Sequence, residues 1–293
     1  MRKLIIGILF LLLPIICFGQ LVKTSMTYAQ PVAAAGFCAE YQAIYDVMTT
    51  PPGRDGADTA MLQNTMVKAL VDGGYWTNRI DLFYVTATRT RVDAYRNWAI
   101  VGSYDLTDPG GTNPTFTPYG GIDGNTSTMY LSTNYVPATN KTNISLLSTT
   151  IAAYLTQDAQ GVYTSVGVES GTGMIFIRPR LSGNASAMVN TNSSVAAAVA
   201  ASTGFFVATR RGETDVELYR NGTSIATSTD RETAVPITHP IYLLASNDDG
   251  TSDDHSPVAI SVVILMNGVT TVDQAAINII IEAYMGAIGK GVE

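Results

Sequence analysis

The sequence predicts a mainly β protein: an antiparallel sandwich or barrel, preceded by a small helical segment and closed by a C-terminal helix. Three observations carry this. From Thr107 onward about ten short β-like runs recur, separated by clusters of Thr, Asn, Gly and Pro, which is the cadence of antiparallel strands and not of βαβ units. Arg220-Asn221-Gly222-Thr223 lies between two alternating runs, and Asn-Gly suits the positive-φ positions of a type I′ hairpin turn. Helical spacing of apolar residues is confined to the segment before residue 107 and to the chain after Thr271.

Composition narrows the class further. Charged residues make up 14% of the 293 positions and hydrophobic ones 46%, which excludes a disordered tail and a coiled coil. A formal charge of −7 argues against a nucleic-acid partner, since phosphate binding needs a cationic stripe. Two cysteines exclude a disulfide scaffold and a four-thiolate metal site, and two histidines leave little room for a His-rich metalloenzyme.

Residues 1–19 read as a secretory leader. Arg2-Lys3 precede the apolar run Leu4–Ile16, and cleavage after Gly19 puts small residues at the required positions. The run is shorter than the ~20 residues a spanning helix needs. A lipidated Cys17 is the alternative, although Ile16 is not the small residue a lipobox wants. Losing Arg2 and Lys3 from the 17 bases leaves 15 against 24 acids, a charge of −9, with Cys38 as a lone thiol expected to pack as a small hydrophobe.

Residues 36–106 form the predicted helical segment. Ala39–Met48 places Ile44, Val47 and Met48 on one side, and Pro51-Pro52-Gly53 ends it. Asp58 is placed to cap a second helix carrying Leu62, Met66, Val67, Leu70 and Val71, which stops at Gly73-Gly74. Ile80–Ala87 is apolar throughout and reads equally as a buried strand or a short core helix.

Residues 107–293 form the predicted β domain. Its strands are expected at Thr128–Asn134, Ile151–Leu155, Val162–Val168, Met174–Arg178, Ala187–Asn190, Phe205–Thr209, Asp215–Arg220, Ser224–Thr227, Ile241–Ser246 and Val258–Met266. Val195–Ala201 is expected as a short surface helix or a loop. Thr271 and Gln274 suggest a capping box for the last helix, whose face of Ile277, Ile280, Ile281, Tyr284 and Ile288 is expected to pack on the last strand.

The stretches Gly204–Thr229, Ile241–Thr251 and Ile260 onward, with their Tyr219–Gly222 hairpin and Asn247–Gly250 turn, resemble a laminin-G-like, concanavalin-A-type jelly roll. Gly120–Gly124 through Tyr130–Thr133 resembles the entry strand of the same roll, so the likeness covers about residues 116–293. The resemblance implies an antiparallel jelly-roll sandwich. Together with its N-terminal segment, the chain also resembles proteins of Bacteroidetes and their phages taken to be virion or surface-binding components.

Two constellations bear chemistry. Glu213-Thr214-Asp215-Val216-Glu217 would line one strand face with three carboxylates. It resembles the E-x-D-x-E strand of laminarinase-type glycoside hydrolases, which implies Glu213 as nucleophile, Glu217 as acid/base and Asp215 tuning the pair. The competing reading puts Val216 and Leu218 in the core and the acids in solvent, paired with Arg210, Arg211 and Arg220. No tryptophan follows Trp98, and Phe205–Thr209 stands where that family has a Trp-rich approach.

The second constellation is the acidic loop carrying Asn247, Asp248, Asp249, Asp253 and Asp254 around Gly250, hard oxygen ligands of the kind calcium prefers. Laminin-G-like rolls hold calcium at such a rim beside the ligand site; a solvated acidic loop is the plainer reading. Of 15 tyrosines, most are expected in the core, with one or two of Tyr104, Tyr119, Tyr130 and Tyr135 at a rim.

The function implied is a secreted, periplasmic or extracellular, non-catalytic protein that binds a glycan or other cell-surface polymer at the loop rim. The alternative is a structural or assembly protein such as a phage-derived virion or fibre component, and the third reading is a laminarinase-type hydrolase. Calcium is the cofactor these residues suggest, and homo-oligomerisation stays open.

Overall fold

The computed structural model describes residues 36–53, 60–171, 173–229 and 236–292. The chain divides into Met1–Gly36 and Phe37–Glu293. The predicted leader and the Asp58 cap lie outside the described residues.

Along the chain come α1 (Ala39–Val47), α2 (Ala60–Asp72), β1 (Ile80–Val85) and the single turn α3 (Arg91–Ala94). Next are β2 (Thr115–Thr117), β3 (Gly121–Asp123), β4 (Leu131–Ser132), the turn α4 (Pro137–Asn140), β5 (Thr149–Leu155) and β6 (Val166–Ser170). They are followed by β7 (Gly173–Leu181), β8 (Asn184–Thr191), β9 (Val195–Ala198), β10 (Gly204–Arg210), β11 (Val216–Arg220) and β12 (Thr223–Ser228). β13 (Tyr242–Leu243), β14 (Ser246–Asp248), β15 (Thr251–Asp253), β16 (Ala259–Met266) and α5 (Thr271–Ala287) complete the order.

The strands make two sheets, and the predicted β-sandwich is what the chain forms. Sheet A runs β12-β11-β10-β5-β16, and β1 and β3 share the far edge of β16, with β2 beyond. Sheet B runs β15-β14-β6-β7-β8-β9, with β13 between β6 and β4. Pairing is antiparallel except for a parallel bridge between Asp248 and Glu169.

Sheet A is buried on both sides. In β5, Ile151, Ala153 and Leu155 face sheet B, while Ala152 and Tyr154 face the helices. β10 splits the same way, with Phe206 and Ala208 inward against Phe205 and Val207 outward. Each Val, Leu or Phe so buried contributes on the order of 1.5–3 kcal/mol. Burial on both faces explains why these runs read as continuously apolar instead of alternating.

That burial also resolves Ile80–Ala87. Its middle forms β1, pairing with β16 from Val85–Val262 to Ile80–Met266. Leu82 and Tyr84 enter the inter-sheet core, and Phe83 and Val85 enter the helical layer. The helical segment and the β domain therefore share this strand pairing.

Helices α1, α2 and α5 cover sheet A through Tyr41, Ile44, Met66, Leu70, Ile277, Ile281 and Met285. A buried polar string ties them together: Tyr41 donates to Gln63 Oε1 at 2.6 Å, Gln63 Nε2 donates to Tyr284 Oη at 3.5 Å, and Tyr284 donates to Ala87 O at 2.8 Å. Asp81, fully buried on β1, accepts from Tyr135 Oη at 2.5 Å and from the amides of Thr142, Asn143 and Ile144. Burial and that carboxylate push the Tyr135 phenol well above its ordinary range.

Several local expectations need correction. Val195–Ala201 is neither helix nor loop at its start, because Val195–Ala198 forms β9 at the edge of sheet B. The last helix is capped one residue earlier than expected, by Thr270 with Asp273 at the third helical position. Ile241–Ser246 is broken by Leu244 at φ 66°, so it yields two short strands in place of one. The hairpin turn is as predicted, with Asn221 and Gly222 at φ 49° and 74°. At Gly121 only glycine fits: φ is 105°, and a Cβ there would lie 2.1 Å from Ile260 O.

Candidate functional site

The E-x-D-x-E motif does not form one carboxylate-lined strand. Glu213 and Asp215 lie in the β10–β11 turn, which Arg211 closes by donating its amide to Asp215 O at 2.9 Å, and the strand begins only at Val216. Glu217 is the member on the strand, and at 8% exposure it is not in solvent. Val216 and Leu218 do enter the inter-sheet core.

Arg211 organises this corner. Its Nε and Nη2 grip Asp215 at 2.9 and 2.7 Å, Nη2 reaches Glu217 Oε2 at 2.6 Å, and Nη1 donates to Tyr219 Oη and Val269 O, each at 3.1 Å. Tyr219 also donates to Glu217 Oε2. Burial opposes the Glu217 charge, but hydrogen bonds from Ser224, Tyr219 and Arg211 outweigh it and hold the carboxyl below its ordinary range. The arrangement locks β11 to the start of α5. Arg210 is fully buried, donating to Gly212 O, Asn190 O and Glu213 O, and Arg220 donates to Thr203 O.

The acidic loop is held by separate contacts. Asn247 is buried, donating to Pro240 O and accepting from Gly250 N, both at 2.8 Å. Asp249 accepts from Gly171 N at 3.1 Å, Asp253 from Asp254 N at 2.8 Å, and Asp254 pairs with Arg178 at 2.5 Å. Among the described residues no three His, Cys, Asp or Glu side chains converge to hold a metal.

What the fold does assemble lies next to that loop, on the outer face of sheet B. With Ile175 and Ile177 directed into the core, Phe176 and Arg178 of β7 share the outer face. Register builds a row across four strands: Tyr242 opposite Gly167, Gly167 opposite Phe176, Phe176 opposite Met188. The Arg178 guanidinium lies 4.4 Å from the Phe176 ring centre. Its Nε donates to Thr164 Oγ1 at 3.3 Å and its Nη2 to Glu169 Oε1 at 3.4 Å, in addition to Asp254.

Gly167 makes this arrangement possible. A Cβ there would lie 2.6 Å from Thr164 Cγ2 and 3.0 Å from Phe176 Cβ, against two of the side chains that touch Arg178. Beside the row, Tyr130 packs on Tyr242 with ring centres 4.7 Å apart, and on His255 at 5.9 Å. Buried Nε2 of His255 has no hydrogen-bond partner among the described residues. Burial pushes the His255 imidazole down, against the upward pull of Asp253 and Asp254, and so favours its neutral form. Burial pushes the Glu169 carboxyl up although Arg178 opposes it. Toward β9 the face opens into a shallow groove of about 400 Å³, floored by Phe176 and Met188 and edged by Asn184, Ser186 and Ala196.

Of these residues, Tyr130 was legible as a rim tyrosine, while Tyr135 from the same set is fully buried. Phe176 and Arg178 carried one available signal, their shared strand parity. Tyr242, Gly167, Glu169 and His255 carried none, since only register brings them together.

The fold and this face define a β-sandwich whose outer aromatic row is largely covered, Phe176 at 1% and Tyr242 at 7% exposure, with Arg178 and Tyr130 packed over it. No protein-family model matches the sequence, and no curated protein is significantly similar to it. Among solved structures, the Trypanosoma rangeli sialidase in complex with 2,3-difluorosialic acid is similar in fold, with a TM-score of 0.52 and 13% identity over 80% of this chain and 40% of that one. The botulinum neurotoxin serotype D binding domain follows at 0.49, with 11% identity over 72% and 52%. A Ruminococcus gnavus sialidase CBM40 matches at 0.37, with 14% identity over 45% and 82%. The chain spans less than half the length of the sialidase it matches, and at these identities the likeness concerns the fold alone.

Proposed function

We propose that this protein is a non-catalytic binding protein that recognises a glycan or related cell-surface polymer on the outer face of sheet B, beside the acidic loop. The observation that carries this reading is the pair Tyr130 and Arg178, each part-exposed on the outer face and laid over the buried Tyr242 and Phe176. Tyrosine rings offer an apolar body with a polar tip, and carboxylate, amide and hydroxyl groups around them suit a ligand of hydroxyls and CH faces. The printed name of one solved neighbour, a sialidase in complex with 2,3-difluorosialic acid, agrees with a carbohydrate partner. Export through the 1–19 leader belongs to the same proposal, and no helix among the described residues is long and apolar enough to cross a membrane.

A glycan array probed with the purified protein tests the reading. Binding that is lost in Tyr242→Ala while the fold persists supports it, and silence across the array refutes it. Hydrolysis of a β-glucan that disappears in Glu217→Gln would replace it with the hydrolase reading. That reading lacks a paired geometry here, because Glu213 lies outside the strand and Glu217 is committed to Arg211 and Tyr219.

An assembly role is the second reading, and one observation favours it. Val272 and Ile279, seven residues apart on α5, are 78% and 68% exposed. Size-exclusion chromatography giving a defined oligomer that Ile279→Glu dissolves would support this role; a monomer at high concentration would remove it.

A further inference from the structure

We infer that the outer face of sheet B selects uncharged glycans over those carrying carboxylate or sulfate groups; this rests on the glycan-binding reading of the same face. The argument starts from Arg178. An arginine recognises a carboxylate or sulfate by presenting two parallel N–H donors to it, and that fork must be free. Here Nη2 already serves Glu169 at 3.4 Å and Asp254 at 2.5 Å, and Nε serves Thr164 at 3.3 Å. Among the described residues Nη1 has no such partner, which leaves a single donor edge, suited to a hydroxyl.

The charge count points the same way. One guanidinium stands against the two carboxylates that touch it, and Asp248 lies directly across the parallel bridge from Glu169. Asp253 adds a further acid at the exposed end, beside His255. An anionic sugar would therefore meet a net negative field and a cation whose forked edge is occupied. The remaining contacts are indifferent to charge: the Tyr130–Tyr242 pair, the Ser186 hydroxyl, the Asn184 amide and the side chain of Met188. Such a surface takes up the hydroxyls and apolar faces of a neutral hexose polymer.

The test compares matched polymers by calorimetry with the full chain: fully methyl-esterified polygalacturonate against polygalacturonate, and desulfated κ-carrageenan against κ-carrageenan. The neutral member is expected to bind at least about tenfold more tightly at low ionic strength, with the gap narrowing as salt screens the carboxylates. Replacing Glu169→Gln together with Asp254→Asn is expected to close most of that gap, because it removes both carboxylate charges and weakens their hold on the Arg178 fork. The wild-type comparison needs no variant, so it holds if the double variant fails to fold. Equal or tighter binding of the anionic member overturns the inference while leaving glycan binding intact. A gap unchanged in a folded double variant overturns it as well. Silence toward every member of a broad neutral and acidic polysaccharide array overturns the glycan reading, and this inference with it.

Discussion

At the scale of single residues, a buried carboxylate needs several donors to hold its charge, while a half-buried ring keeps part of its surface for a ligand. Asp81 is the clearest buried case, taking a phenol and three amides at the junction of β1 and the 142–144 loop. Asp81→Ala leaves those donors unpaired and is expected to lower unfolding free energy by about 3 kcal/mol, read as a shift in denaturant midpoint at unchanged m. Tyr130 is the contrasting case, half-buried and stacked on Tyr242. Tyr130→Ala is expected to weaken glycan binding about tenfold, equivalent to ~1.4 kcal/mol, with little change in melting temperature. A large stability loss without a binding change would assign Tyr130 to packing alone.

At the scale of elements, local sequence sets most strands, and side-chain hydrogen bonds set where they stop. The predicted Asp215–Arg220 strand loses its first residue because the Arg211–Asp215 turn claims it. The predicted Thr271–Gln274 box gives way to Thr270–Asp273, since Asp273 also pairs with Arg79 at 3.1 Å and fixes the helix entry there. Thr270→Ala is expected to cost about 1 kcal/mol, measured by thermal unfolding, whereas Thr271→Ala is expected to cost less. Val195–Ala198 reads as helix or loop by composition, yet it becomes a strand because β8 offers an unpaired edge. Alanine-rich sequence has no strong say of its own, so pairing decides.

At the scale of the whole molecule, one prediction concerns acid stability. Glu217, Asp158 and Asp273 all have carboxyls held below their ordinary range in the folded state. A depressed folded pKa gives stability that is present above the unfolded carboxylate range and is lost as pH falls through the folded value. His255 has the same sign, because its imidazole is kept neutral by burial. Its contribution is complete above an unfolded pKa near ~6.5 and declines below it. Glu169 and Asp123, pushed up by burial, have the opposite sign and offset part of this, so denaturant midpoints are expected to hold near neutrality and fall on stronger acidification. Glu217→Gln is expected to flatten the lower part of that fall, and His255→Phe the upper part. Profiles parallel to wild type in both variants would show that these groups do not link folding to protons.

The sequence by itself determined a mainly β, sandwich-or-barrel class, the Asn221-Gly222 hairpin and the presence of the last helix. These depend on local quantities: strand parity, positive φ at a turn, and helical spacing of apolar residues. As one of two readings of the Glu213–Glu217 motif it also offered Val216 and Leu218 as core residues, which they are. Only the tertiary structure decided that sheet A is covered on both faces, that β1 joins β16, and that Glu217 is clamped instead of catalytically paired. It alone brought Tyr130, Gly167, Phe176, Arg178, Tyr242 and Asp254 onto one face. The reason is physical: a strand's own pattern says which residues share its face, but register between distant strands says which residues meet, and register is set by the packing of the whole core.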